Sequence, residues 1–233
     1  MNLLDMIREM PLFMKQFICL ILLLNIIKFF IWPGLFKGHS TKDNRRGDKQ
    51  YSQTEEERKA AIIEAGKQGE AETQFHLSYL PTNEYCILNN VRIYDNNTNR
   101  KAEIDHVVIG NAGVFVIETK NYSGTIHASS AGWYREKKNG EREALSDPAG
   151  QNERHKSLLR ELLSYRGYKD IPFYSIVAIA NKDAIIMGQS EYAEVMKAEN
   201  VSACISHKPY VLKDDMVRKI YEEISRLNVS VKI

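Results

Sequence analysis

The chain has 233 residues but only three cysteines, Cys19, Cys86 and Cys204, widely spaced and with no CxxC pair or His-rich partner. That pattern excludes both a zinc site of ordinary spacing and a disulfide framework, and it fits a reducing compartment for the main domain. Charge imbalance is also nearly lacking: 32 basic against 30 acidic side chains leave +2, which neither demands nor excludes a nucleic-acid partner. There is no internal repeat and no P-loop, GxGxxG, HExxH or G-x-S-x-G string. ATP-driven, zinc-protease and serine-hydrolase chemistries therefore lack their usual residues. No aromatic stacking platform and no strong basic stripe stand out. The N-x-S/T matches at Asn96, Asn121, Asn200 and Asn228 matter only in a secreted chain and are read as chance.

What is present is concentrated in residues 102–124, AEIDHVVIGNAGVFVIETKNYSG. Two runs rich in Val, Ile and Phe, 103–109 and 114–120, flank the turn Gly110-Asn111-Ala112-Gly113, the pattern of a tight β-hairpin. With Asn111-Ala112 as a two-residue loop, Asp105 falls opposite Glu118 and Glu103 opposite Lys120. Residues two apart on a strand share a face, so Asp105, Glu118 and Lys120 gather where the apolar run ends. Facing carboxylates repel and destabilise a sheet. A divalent cation between them would turn repulsion into coordination, and hard oxygen ligands suit Mg²⁺ or Mn²⁺. The Lys120 ammonium could then orient an attacking water or stabilise charge developing on a phosphate. Both faces of the hairpin are otherwise apolar, which predicts an inner part of a covered sheet.

Asp105 followed across a hairpin by Glu118-Thr119-Lys120 resembles the D…(D/E)xK core of the PD-(D/E)XK nuclease superfamily. The wider string, from EIDHVVIG through GVFVIETKNYSG to Ile126, resembles the nuclease-related domain (NERD) within it. The segment GKQGE, from Gly66 to Glu70, resembles the GxxGE motif at the start of such domains. The resemblance implies a restriction-endonuclease-like α/β fold and Mg²⁺- or Mn²⁺-dependent hydrolysis of nucleic acid, DNA in preference to RNA. It further implies that Asp105 and Glu118, with the Thr119 carbonyl, hold the metal and that Lys120 positions the water. Glu70 is implied as a helical carboxylate aimed at the metal, and Gln151 as a side chain orienting water or phosphate. His155, four residues on from Gln151, is an accessory candidate. Read as residues alone, Glu64, Glu70 and Glu72 also fit solvated helix charges, and His155 an ordinary helix residue.

Along the rest of the chain, residues 12–32 (LFMKQFICLILLLNIIKFFIW) count 21, about the ~20 needed to span a bilayer. Lys15 and Lys28 can snorkel and Trp32 suits the interface. A buried soluble helix is the alternative. Lys37, Lys42, Arg45, Arg46 and Lys49 follow, against Asp5, Arg8 and Glu9 before. The positive-inside rule therefore expects a single-pass anchor in the cell membrane with a cytoplasmic C-terminal domain. Residues 33–53 read as a basic flexible tether and 54–233 as the nuclease-like domain.

Ser52 with Glu55 signals a capping box and a helix over about 54–79. Residues 86–94 read as a strand, completing a three-strand meander with the hairpin. Short strands are expected near 125–128 and 133–135. Residues 135–142 (REKKNGER) read as an exposed basic hairpin tip able to touch phosphates. Asp147-Pro148 opens a helix to about Tyr165, and 171–180 is a buried strand reached by a helical crossover. Next come a helical or irregular segment around 191–198, a short strand at 201–205 and an amphipathic helix over 213–227. The expected architecture is a mixed central β-sheet flanked by helices, with an N-terminal transmembrane helix. A non-catalytic membrane-anchored module binding nucleic acid or protein on the same fold, or an assembly factor driven by the anchor, remains the alternative.

Overall fold

In the computed structural model the hairpin closes as its glycines dictate. Gly110 pairs with Gly113 across Asn111-Ala112, and the ladder runs back to His106↔Ile117. Gly113 has φ +138°, and a Cβ there would stand 2.3 Å from the Pro172 carbonyl oxygen, so only glycine fits. The structure describes residues 54–228. The expected anchor at 12–32 and tether at 33–53 lie outside the described residues. Among the described residues no helix is long and apolar enough to cross a membrane.

The elements are α1 (Glu55–Leu77), β1 (Cys86–Asp95), β2 (Arg100–Gly110), β3 (Gly113–Lys120), β4 (Thr125–Ser129), β5 (Gly132–Glu136), β6 (Arg142–Leu145), α2 (Pro148–Tyr165), β7 (Phe173–Ile179), β8 (Ile185–Gly188), β9 (Glu194–Lys197), α3 (Val201–Ser206) and α4 (Asp214–Leu227). A five-stranded mixed sheet has the order β1-β2-β3-β7-β9, with β1, β2 and β3 antiparallel and β3, β7 and β9 parallel. A four-stranded mixed sheet has the order β6-β5-β4-β8.

Strand β3 lies at the centre of the large sheet, which explains why its sequence is apolar on both faces. Val114 and Val116 pack with Leu159 and Leu163 of α2 and Ile220 and Ile224 of α4. Phe115 and Ile117 pack with Leu77 of α1 and Val201 and Ile205 of α3. The result is a helix–sheet–helix sandwich. The small sheet closes a third cluster, in which Ile126 and Trp133 meet Ala149, Val177 and Ile179.

Several expectations are corrected. The capping box on α1 is Thr54 with Glu57: Glu57 N–H donates to Thr54 Oγ1 and Thr54 N–H to Glu57 Oε2. Residues 194–197 form a strand and 201–206 a helix, the reverse of the expected order. Val201 and Ile205 are both fully buried and stand one helical turn apart, while Ala203 between them is exposed; that is helical spacing, not alternation. The segment 135–142 is not all tip, since β5 and β6 carry its ends into the small sheet. Strand β8 and the separate small sheet have no counterpart in the expected architecture.

Candidate active site

The site forms where two strands part company. Strand β1 pairs with β2 from Cys86↔Ile109 to Asn89↔His106, and again from Val91↔Ile104 to Asp95↔Arg100. Between these stretches Asn90 takes a left-handed backbone, φ 52°. Before it Cys86 and Leu88 face the α2–α4 core, and after it Val91 and Ile93 do. Strand β2 makes the same one-residue slip, with Ile109 and Val107 giving way to Ile104 and Ala102. A slip in alternation re-aims a side chain, and here it turns Asp105 sideways toward β3.

Asp105 Oδ2 accepts a 2.7 Å bond from the Thr119 backbone N–H, the group that continued β2–β3 pairing would have given to a backbone carbonyl. A side-chain carboxylate thus replaces a rung of the ladder. On the far side of β3 the Lys120 carbonyl accepts from Ala180 N–H. Carbonyls alternate along a strand, so the Thr119 carbonyl faces the same gap as Asp105.

Glu118 follows Val114 and Val116 onto the α2 face and is 2% exposed. Its Oε1 accepts from Lys120 Nζ at 2.6 Å. Among the described residues its Oε2 is buried with no hydrogen-bond partner, as is His155 Nδ1, 3.8 Å away. Burial pushes the Asp105 carboxyl up to about 7, helped by the Glu118 and Glu70 charges and opposed by the Thr119 N–H and Lys120. Burial raises Glu118 as well, against the pull of Lys120. For Lys120, burial acts to lower the ammonium pKa, but the Glu118 charge and hydrogen bond outweigh it and the net direction is up. Burial, then the Arg154 and Lys120 charges, lower His155.

Helix α1 supplies the next wall. A Cβ at Gly69 would lie 3.0 Å from the Asn121 Cβ, so glycine lets the helix approach β3 closely. Thr119 Oγ1 donates to Thr73 Oγ1 at 3.1 Å and Asn121 Nδ2 to the Ala65 carbonyl at 2.9 Å, fixing that approach. Gly66, by contrast, faces open space. Glu70 consequently lines one cleft of about 520 Å³ together with Asp105, Glu118, Thr119 and Lys120.

Gln151 is brought elsewhere. It sits in the first turn of α2, which Asp147 caps by accepting from Gly150 N–H. With His155 it lines an adjoining cleft beside Arg92, Tyr94, Lys101 and Glu103, and it does not line the carboxylate cleft. Three further residues are not among the site candidates read from the sequence. Arg135 and Glu143 face each other across β5–β6, pair at 2.9 Å and line the carboxylate cleft. Arg135 shares the inward face of β5 with Trp133, as alternation along the strand expected near 133–135 requires. Asn152, fully buried, donates to the Val116 and Ile176 carbonyls and to Ser175 Oγ, fastening α2 across β3 and β7.

Among the described residues no group of three or more His, Cys, Asp or Glu side chains is drawn tightly enough together to hold a metal by itself. Two carboxylates, one with an unbonded buried oxygen, and a backbone carbonyl share the gap; such an oxygen set can hold a hard cation with solvent completing its shell.

Comparison with known proteins gives a consistent picture. The chain matches the family model described as nuclease-related domain (NERD) over residues 65–180, a span running from α1 to the end of β7 and including Glu70, Asp105, Glu118, Lys120 and Gln151. An uncharacterized protein of Bacillus anthracis is 32% identical over 176 residues, covering 72% of this chain and 78% of that protein. No solved structure matches.

Proposed function

Because the chain belongs to the nuclease-related domain (NERD) family, we infer that it is a metal-dependent nuclease that hydrolyses the phosphodiester backbone of nucleic acid, DNA in preference to RNA. The observation that carries this reading is the convergence of Asp105, Glu118 and Lys120 at the point where β2 and β3 part, with Glu118 Oε2 buried and unbonded. An orphaned buried carboxylate oxygen is costly unless a positive partner reaches it, so the residues present fit a divalent cation.

Asp105 and Glu118, with the Thr119 carbonyl, would hold Mg²⁺ or Mn²⁺, which supplies Lewis-acid charge for the phosphate and for an attacking water. Asp105 is held in place by the Thr119 N–H. The Lys120 ammonium, kept charged by Glu118, places positive charge at the cleft where a phosphate gains negative charge in the transition state. Glu70 from α1, which lines the carboxylate cleft, is assigned as a further carboxylate directed at the metal, and Gln151 from the adjoining cleft to orienting water or phosphate. Residues 12–32 are assigned to a single-pass membrane anchor and 33–53 to its tether, with the domain from residue 54 in the cytoplasm.

The test is cleavage of labelled single- and double-stranded DNA and RNA by the compact unit Gln53–Ile233, with Mg²⁺, Mn²⁺ or EDTA, beside Asp105→Ala and Lys120→Ala. The expected result is metal-dependent cutting, strongest on DNA and lost in both variants. Binding without cutting in the parent would replace the enzyme with a binding module. Cutting that survives both substitutions would refute the residue roles.

A further inference from the structure

Strand β2 is longer than β3, and the difference leaves an edge open. Residues 106–110 of β2 pair with β3, whereas its first half, Arg100 to Asp105, has β1 on one side and no strand on the other among the described residues. Helix α2 runs past this free edge. Between them lies a cleft of about 640 Å³, continued over α2 by a second of about 430 Å³. Lys101 and His155 line both, which makes them one trough. The trough reaches the carboxylate site at one place: His155 Nδ1 stands 3.8 Å from the bare Oε2 of Glu118.

The charges along this trough divide unequally. Arg92 is bound to Glu103, Arg100 to Glu161 and Asp95, and Lys156 to Glu153. Lys101 and Arg154 have no carboxylate partner among the described residues. Two unneutralised cations in a trough that opens at the site are placed to take anionic oxygens. On the other side of the site, the β5–β6 hairpin engages Arg135 with Glu143 and Lys137 with Glu141 and Glu143.

We propose that the trough between the free edge of β2 and helix α2 is the binding track for the nucleic-acid strand flanking the reacting phosphate, with Lys101 and Arg154 each neutralising one backbone phosphate. The assignment rests on the nuclease reading for its ligand class. The two unpaired cations, a lysine on β2 and an arginine on α2, suit backbone phosphate oxygens, contacts that position a strand without reading its sequence.

The experiment measures binding of a fluorescein-labelled single-stranded oligodeoxythymidine to the full-length protein by anisotropy, in EDTA so that nothing is cut, over about 50 to 200 mM salt. Lys101→Ala and Arg154→Ala should each weaken binding and each reduce the slope of log K against log salt by about 0.7, the value for one lost phosphate contact on a single strand. Lys101→Glu should weaken binding further. Lys219→Ala, which removes a charge paired to Asp215 on α4, should leave the slope unchanged. If both trough variants keep the parent slope while the parent binds, the track is refuted and the nuclease reading stands. If Arg135→Ala and Lys137→Ala lower the slope instead, the strand runs over the β5–β6 hairpin and the proposal is equally refuted. A parent that binds no nucleic acid overturns both.

Discussion

Replacing Asp105 by asparagine should make the metal-free protein more stable at neutral and alkaline pH, and the size of the gain follows from the site's burial. The carboxyl is pushed from an ordinary 3.8 up to about 7. Between those values the folded chain carries a proton on Asp105 that the unfolded chain does not. Stability attributable to this group is thus fully present below pH 3.8 and is lost as pH rises through 7, at about 1.4 kcal/mol per unit, or about 4 kcal/mol in all.

His106, next in sequence, works the other way. Its imidazole is buried, and burial pushes it from 6.5 down to about 4, so the unfolded chain takes its proton first. Stability is then lost as pH falls from 6.5 to 4, by about 3 kcal/mol. In the parent these two dependences offset each other between pH 4 and 6.5. The amide of the Asp105→Asn variant would keep an acceptor for Thr119 N–H but carry no charge. The variant should therefore gain about 4 kcal/mol over the parent at about pH 8, a margin that closes as pH falls to about 4 and unmasks the acid sensitivity of His106. The assay is urea unfolding of the Gln53–Ile233 unit in EDTA at unit steps of pH. A margin that stays constant with pH, or a variant less stable than the parent at about pH 8, would refute the reasoning. Adding Mg²⁺ should stabilise the parent and leave the variant unmoved.

Two further substitutions test how the site is held. Gly69→Val should destabilise and displace α1, because the added Cβ would meet Asn121 at 3.0 Å, whereas Gly66→Ala should stabilise by about 0.5–1 kcal/mol, since that Cβ meets nothing within 4 Å. Thermal unfolding of the pair decides it, and equal effects would sink the close-approach argument. Asn152→Ala leaves the Val116 and Ile176 carbonyls without their side-chain donor and should cost about 2–3 kcal/mol in a urea titration; a loss under about 0.5 kcal/mol would mean the strand ladders satisfy those carbonyls alone.

The central hairpin is legible because its signal is local: two glycines fix the turn, and the turn fixes which side chains face each other. Asp147-Pro148 likewise marks the start of α2 from its own chemistry. What escapes a reading of the sequence depends on partners distant along the chain. Glu194–Lys197 is a strand because β7 offers it a ladder, not because four residues with two apolar side chains announce one. Val201, Ala203 and Ile205 satisfy period two on paper, and only the packing of Val201 and Ile205 against α1, with Ser202 Oγ donating to the His76 carbonyl, selects the helix. Register alone points to Asp105, yet its bond to Thr119 N–H arises from a slip at Asn90 on a different strand. Gln151 occupies the expected helix turn, but the crossing of α2 sets it in the trough beside the site.

The parallel pairing of β3 with β7 also sets an order of events in folding. The strand carrying Glu118 and Lys120 can be assembled from neighbouring hairpin residues within a local search, but it is anchored by β7, about sixty residues further along the chain. Non-local pairings of this kind form slowly, since a long loop must close before any contact rewards it. During synthesis the hairpin therefore leaves the ribosome well before its partner, and Ala180, whose N–H holds the Lys120 carbonyl, follows about sixty residues behind. A chain truncated before residue 173 keeps every member of the carboxylate set and yet lacks the strand that fixes it. The site is in this sense self-timed: the side chains exist early, and their geometry is completed only when the crossover has been made.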